Sequence, residues 1–426
     1  MKAHPFMKLR LVAAVLALAA LPLSIAGAEL DERFLKAHGN GIRDAKGRPV
    51  LLRGVNLGGW LLIEPWMCPI DSSGTIKCEH QLRETLVKRF GPTTAASLLA
   101  TYRDHWITSR DLDKIAAQGF NVIRVPFWYR NLQTEDGRWL EDGFKRLDWV
   151  VAEAWERGIY TILDFHGVPG GQTKGDSTGR RRPSADFWHD EAHLRRTAGI
   201  WRVLAKRYQG NPAVAAYDLI NEPADAPHLG AMWSAYDALY REIRKVDPDH
   251  IITIEGCLNA RVGDRHISWG WDALPHPDVF GWKNMLYQIH HYEWDWDNPE
   301  KQRRGIDFQI AEWQKNKNLG VPAYMGEFNL MASEDAWHHA LKEFSAAGIH
   351  WTFWTYKANH GTGTNSWGLY NPVKKDAPDL VADDAATIQA KWQALDTDTS
   401  YALNPMIDRA VKAALNPESP DGGAKP

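Results

Sequence analysis

Eight short apolar runs, rich in β-branched and aromatic residues, recur along the chain with amphipathic stretches between them. They are VLLRGVNL (50 to 57), FNVIRVPF (120 to 127), IYTILDFH (159 to 166), VAAYDLIN (214 to 221), HIITIEG (250 to 256), MLYQIHHY (285 to 292), VPAYMGEF (321 to 328) and IHWTFWTY (349 to 356). Such alternation predicts βα units around a parallel sheet rather than a β-sandwich. The intervening patterns carry helix punctuation. TSRDLDKIAAQG offers Ser109 as a cap with Asp111 in the first turn, and LDWVVAEAWERG ends at a C-capping glycine. AMWSAYDALYREIRKV and SEDAWHHALKEFSAAG repeat apolar residues at spacings of three and four.

Eight strands with intervening helices close most simply into a (β/α)8 TIM barrel, an α/β fold in one domain spanning 29 to 414. Two insertions, at 65 to 107 and 167 to 190, follow the first and third runs. Both leave strand C-termini, so both are expected to rim the active face. The chain end, 415 to 426, closes in NPESPDGGAKP and has no apolar period, which predicts a disordered tail. Neither an internal repeat nor a separate binding module is visible.

The N-terminus departs from this pattern. Lys2, Lys8 and Arg10 precede an apolar run from Leu11 to Leu23, and Ala26-Gly27-Ala28 follows as a small-residue cleavage signal. Residues 1 to 28 read as a secretory signal peptide, cleaved near Ala28, with translation starting at Met1 or at Met7. The run falls short of the roughly 20 residues that cross a bilayer, and no later stretch approaches that length. The expected location is secreted or periplasmic, with no membrane span in the mature chain.

Composition adds exclusions. Loss of three basic residues with the signal moves the formal charge from -3 to about -6. No basic stripe supplies the phosphate attraction that nucleic acid binding needs, so nucleic acid is not an expected partner. Cys68 and Cys78, ten apart in a segment rich in Pro, Ser and Gly, can close a short disulfide in an oxidising compartment or stay reduced. Cys257 reads as a buried thiol. His189, His193, His290 and His291 show no ligand-like pairing with a carboxylate, so neither a metal nor any other cofactor is expected.

In a parallel barrel, side chains at strand C-termini converge over the mouth. The polar residues ending the runs are Asn56, Arg124, His166, Asn221 with Glu222, Glu255, His290 with Tyr292, and Glu327, with Trp354 closing the eighth. Interior packing explains one or two such groups, since buried Glu and Arg are unfavourable unless paired. Glu222 ends the fourth run and Glu327 the seventh, facing one another across an eight-strand ring. Two opposed carboxyls suit glycosidic cleavage, with one protonating the leaving oxygen while the other attacks the anomeric carbon; a separation of about 5 Å predicts retention of configuration. An ionised Glu327 raises the pKa of Glu222 and keeps it protonated as the acid.

The ordered motifs NVIRVP, LDFHG, LINEP, IHHY, GEF and FWTY resemble glycoside hydrolase family 5, over nearly the whole mature chain. The resemblance implies a retaining (β/α)8 enzyme with Glu222 as acid/base and Glu327 as nucleophile. Asn221 is then placed on the sugar 2-hydroxyl, Arg124 and Tyr292 on the nucleophile, His166 and His290 as hydrogen-bonding positioners, and Trp354 under a pyranose ring. Within the family, RGVNLGGWLLIEPW and HGVPGGQTKGDSTG are similar to segments of fungal exo-β-1,3-glucanases, which implies that Glu64 reaches the hydroxyls of the terminal sugar. GEFN departs from that subgroup, which carries a Glu-aromatic pair with Trp there. The expected substrate is β-glucan, most of all β-1,3-linked glucan cleaved from its end. A β-1,4-endoglucanase or mannanase is the alternative within the family, and a non-catalytic carbohydrate-binding barrel the alternative outside it. The 21 tryptophans include WGW (269 to 271) and YEWDW (292 to 296), both just after strands and so expected near the mouth as sugar platforms.

Overall fold

The computed structural model describes residues 31–257, 260–262, 265–267, 270–362 and 365–415. The signal segment with its two candidate starts, Trp269, and residues 416–426 of the tail lie outside the described residues. Eight strands form a closed barrel: β1 (Arg53–Asn56), β2 (Val122–Trp128), β3 (Tyr160–Gly167), β4 (Val214–Asp218), β5 (Ile251–Glu255), β6 (Met285–Tyr292), β7 (Ala323–Asn329) and β8 (His350–Phe353). Each coincides with one of the eight apolar runs, β2, β3 and β7 extending one residue past it. All neighbours pair in parallel, and β8 returns to β1 through Trp351 opposite Arg53.

Helices α1 (Glu79–Trp106), α2 (Ser109–Ala117), α3 (Lys145–Glu156), α4 (Glu191–Tyr208), α5 (Leu229–Arg244), α6 (Pro299–Lys315) and α7 (Glu334–Ala347) surround the barrel. The cap of α2 is Thr108 rather than Ser109. Asp111, three residues on, accepts both the backbone N–H and the hydroxyl of Thr108 at 2.8 Å, the reach-back of a capping box. The Ser109 hydroxyl donates instead to Glu153. The first insertion is mostly α1, kinked at Gly91 (φ +79°) and Pro92. Among the described residues, the β5–β6 connection holds a hairpin (Ala260–Val262 with Arg265–Ile267) and two single 3-10 turns in place of an α-helix.

Cys68 and Cys78 are unbridged and buried, as is Cys257. The Cys68 thiol points to the Gly59 carbonyl, 3.8 Å away, and Cys78 sits at the N-terminus of α1. The WGW reading also changes: Trp271 is core, its indole donating to the Gln309 carbonyl and its ring 5.1 Å from that of Trp313.

The two ends of the barrel differ. A three-stranded sheet (Lys36–His38, Gly41–Arg43, Pro49–Val50) lies at the N-terminal end. Leu35 and Ile42 from this region pack with Val122, Ile162, Ile251, Leu286 and Tyr324. That cluster closes the bottom with apolar surface and leaves the C-terminal mouth as the open end, where polar chemistry collects.

Candidate active site

Two local devices aim the carboxylates. On β7, Gly326 is the extra residue of a bulge, since Ile289 pairs with Met325 but His290 pairs with Glu327. A Cβ at Gly326 would lie 2.4 Å from the Gln288 side-chain oxygen, so any larger residue would displace the buried Gln288 side chain, and the bulge re-aims the following side chain. Strand β4 stops at Asp218, short of Asn221 and Glu222. Glu222 has φ +42°, a left-handed conformation that strand pairing does not accommodate and that is unfavourable for a residue with a Cβ. The pair therefore stands on a turn above the strand.

Arg124 is the hub of the mouth and is fully buried. Its Nη1 donates to Glu327 Oε1 at 2.7 Å and to Asn56 Oδ1 at 3.1 Å, its Nε to Asp218 Oδ2 at 2.8 Å, and its Nη2 to Asn221 Oδ1 at 2.9 Å. Asp164 Oδ2 lies 3.1 Å from the same Nη2. Asn56 is itself fixed by donating to the Gly326 and Phe353 carbonyls. Arg124 thus neutralises part of a cluster of carboxylates that burial alone makes unfavourable.

Glu327 receives a donor on each oxygen, Arg124 on Oε1 and the Tyr292 hydroxyl on Oε2 at 2.8 Å. Burial raises its pKa, and the Arg124 charge and the Tyr292 hydroxyl oppose the rise. Glu222 meets a different environment. Its Oε1 is 2.9 Å from His290 Nδ1, and burial followed by the Glu327 charge pushes its pKa well above the carboxylate range. His290 Nδ1 also stands 3.6 Å from Glu327 Oε2. The two oxygens can therefore be no further apart than the sum of the 2.9 Å and 3.6 Å spokes. That sum only reaches the lower bound of inverting separations, about 6.5 Å, if the nitrogen lies on the line between them.

The histidines are neutral. Burial lowers His290 well below its ordinary range and His166 to about 3. His166 Nδ1 is 2.6 Å from Asp164 Oδ2, and its Nε2 is 3.3 Å from Asn221 Nδ2. That pair of partners assigns the imidazole proton to Nδ1, leaving Nε2 to accept. The His166 ring stacks on Trp354 at 5.5 Å and 17°.

Above this layer lies a cavity of about 510 Å³ lined by Glu64, His166, Glu222, His290, Tyr292, Glu327 and Trp354, together with Trp66, Ser177, Trp294 and Trp367 among others. Glu64 is buried, accepts the Trp66 indole N–H at 2.9 Å, and is pushed up to about 8 by burial and then by the Glu327 charge. A groove of about 880 Å³ between α3 and α4 is larger, but none of these residues lines it. All nine residues singled out from the sequence meet here, seven on the cavity wall and Arg124 and Asn221 directly behind it. Of the YEWDW motif, Tyr292 and Trp294 reach the cavity.

Sequence reasoning missed Asp164, Asp218 and Gln288, the buried groups under Arg124. A charged residue inside an apolar run, as in LDF and YDL, is the signal that marks two of them. Asn329 was seen only as a departure; its amide donates to the carbonyls of Trp354 at 2.6 Å and Trp367 at 3.0 Å, setting the aromatic wall. Glu222, Glu255 and His290 bring one potential metal-ligating atom each within 4.8 Å of one another. Carboxyl–imidazole hydrogen bonding is sufficient to account for that closeness.

A closed parallel barrel with paired carboxylates, a buried guanidinium and ring-faced tryptophans at its C-terminal mouth has the architecture of a carbohydrate-cleaving barrel enzyme. Residues 87–360 match the cellulase family, glycosyl hydrolase family 5. The β-xylosidase of Phanerodontia chrysosporium is 29% identical over 412 residues, covering 90% of this chain and 83% of that protein. A probable glucan 1,3-beta-glucosidase A of Neosartorya fischeri is 29% identical over 298 residues, covering 65% and 70%. The crystal structure of rutinosidase from Aspergillus niger superposes with a TM-score of 0.59 at 19% identity, over 80% of this chain and 97% of that one, a likeness of fold. The chain belongs to glycosyl hydrolase family 5 and is a glycoside hydrolase.

Proposed function

We propose that the protein hydrolyses β-glucan by a retaining double displacement, releasing sugar from the chain end and preferring β-1,3 linkages. Glu327 is the nucleophile and Glu222 the acid/base. The observation that carries this reading is the asymmetry between the two carboxyls. Glu327 holds a cationic and a phenolic donor on its two oxygens, which favours the anion. Glu222 faces a neutral imidazole and a neighbouring negative charge, which favours the proton. In the first step Glu327 attacks the anomeric carbon while Glu222 delivers its proton to the leaving oxygen. In the second, Glu222 takes a proton from water as that water displaces Glu327, and both carboxyls return to their starting states.

Asn221, oriented by Arg124 and with one amide N–H directed at His166, has its other amide N–H left for the 2-hydroxyl, and Trp354 offers a ring face to the sugar. Glu64 on the wall supplies a group for the hydroxyls of the terminal residue, which supports the chain-end mode. A cavity of this size falls within the range of small-ligand sites, about 300–1,000 Å³. The glucan 1,3-beta-glucosidase relative supports the linkage, and the β-xylosidase relative makes xylosides a necessary comparison. We place the catalytic domain at 29 to 414, preceded by a signal peptide cleaved near Ala28 and followed by a tail, in a secreted or periplasmic protein.

Product analysis tests the reading. Laminarin should yield glucose from the first time points, with little release from carboxymethylcellulose, mannan or aryl β-xylosides. Oligosaccharides from the cellulose derivative, or mannan turnover above laminarin turnover, overturn the assigned specificity. Failure of Glu327→Gln to abolish hydrolysis overturns the assigned nucleophile.

A further inference from the structure

Glu255 ends β5 and is fully buried, yet the two-carboxyl chemistry above gives it no step. Its surroundings are specific. Oε2 accepts the backbone N–H of Glu222 at 2.6 Å. Oε1 lies 3.3 Å from His290 Nδ1, the nitrogen that stands 2.9 Å from Glu222 Oε1. Glu255 therefore hydrogen-bonds the Glu222 main chain and lies against the same imidazole nitrogen that meets the Glu222 side chain. The Glu255 main chain is itself clamped, since the Tyr236 hydroxyl of α5 donates to its carbonyl at 3.0 Å and accepts from its N–H at 3.1 Å.

Glu222 needs such a hold. A non-glycine residue in the left-handed region is less stable by about 1–3 kcal/mol and persists only where its surroundings over-determine it. The acid must also present its proton within hydrogen-bond reach of the leaving oxygen, and misplacement by about 1 Å can lower a rate by on the order of 100-fold. A side chain that bonds the backbone of one residue and packs against the imidazole that meets its carboxyl fixes its position more tightly than either contact alone.

We propose that Glu255 is the positioning residue of the acid, holding the strained backbone of Glu222 directly and its carboxyl through His290. This inference rests on the reading of Glu222 as acid/base. Glu255 touches no reacting atom, so its contribution is confined to the proton transfers of Glu222, to the leaving oxygen in the first step and from water in the second. Burial above all favours a neutral Glu255, a state that glutamine imitates, with an oxygen to accept from the Glu222 N–H.

The test compares two β-glucosides that share a glycone, a 2,4-dinitrophenyl glucoside, whose leaving group needs no proton, and a disaccharide, whose leaving group does. Glu255→Ala and Glu255→Asp should each lower kcat/KM on the disaccharide by about 100-fold, the low end for loss of a general acid, with kcat/KM for the dinitrophenyl glucoside, which reports only formation of the glycosyl-enzyme, changed by less than about fivefold. Glu255→Gln should restore most of the disaccharide rate. Equal losses on both substrates, a wild-type disaccharide rate in the Ala and Asp variants, or no rescue by Gln overturns the inference. Glu255→Asp keeps a buried carboxyl one methylene short of the Glu222 N–H, so the comparison stands if Glu255→Ala does not fold. Glu222→Ala, run alongside, separates the two levels. A leaving-group split there without one in the Glu255 variants removes the positioning role alone, whereas no split there removes the acid assignment and this inference with it.

Discussion

Arg124 and Glu327 meet across the barrel, the second strand to the seventh, through one 2.7 Å contact between Nη1 and Oε1. The same guanidinium holds Asp218, Asn56 and Asn221 and lies against Asp164. One cation therefore supports both the stability of the mouth and the ionised state of the proposed nucleophile.

Replacing Arg124 by alanine leaves buried carboxylates without their cation, a change that destabilises by about 3–5 kcal/mol. Arg124→Lys should recover little, because a point charge cannot reproduce a fork reaching several acceptors. Chemical denaturation of the three proteins checks this. A lysine variant as stable and active as the wild type would contradict the hub role.

The pH dependence of the rate follows from the two carboxyls. On the proposed roles, turnover requires Glu222 protonated and Glu327 ionised. Activity falls as pH rises through the elevated pKa of Glu222 and falls as pH drops through that of Glu327, and the two limbs belong to the pair rather than to either residue. A bell-shaped kcat/KM profile is expected, while a flat one from about pH 4 to 9 would contradict it.

Glu64 links stability to pH with a defined sign. Its folded pKa is about 8 against an ordinary 4.5, so between those values the folded chain binds a proton that the unfolded chain has released. Stability from this group falls as pH rises through that window, by at most about 1.4 kcal/mol per unit. Glu64→Gln should match the wild type near pH 4 and become progressively more stable than it towards pH 8, read from denaturation midpoints. A margin that shrinks with pH would contradict the burial of this carboxyl.

The thiols give a simple check on the loops. Cys68, Cys78 and Cys257 are buried and unbridged, and burial raises the Cys68 and Cys257 thiols, Cys68 to about 12. All three should resist a thiol reagent until the chain unfolds and then react together, and reductant should leave the melting temperature unchanged. Fewer than three reactive thiols after unfolding without reductant would reveal a bridge.

The barrel was legible because each strand announces itself as an apolar run ending in a polar residue, a pattern that a closed parallel barrel with one open mouth demands. Asn56, Arg124, His166, Glu255, His290 and Glu327 could be found this way. Asp164, Asp218 and Gln288 could not, because they sit within the runs and their reason for being there is a guanidinium distant in sequence. The end of β4 was misplaced by three residues because left-handed backbone at Glu222 leaves no mark on composition. The state of Cys68 depends on where its thiol packs, against Gly59, which spacing does not encode. Ser109 against Thr108 as the cap of α2 turned on which residue Asp111 reaches, a matter of one position.

The stereochemistry of the first-formed product tests the central claim most directly. Proton NMR of the anomeric signals during the first minutes of β-glucan hydrolysis should show β-configured sugar appearing first and the α anomer growing in only by mutarotation. Initial release of the α anomer would require a single displacement by water, and the assignment of Glu327 as nucleophile beside Glu222 as acid would be wrong.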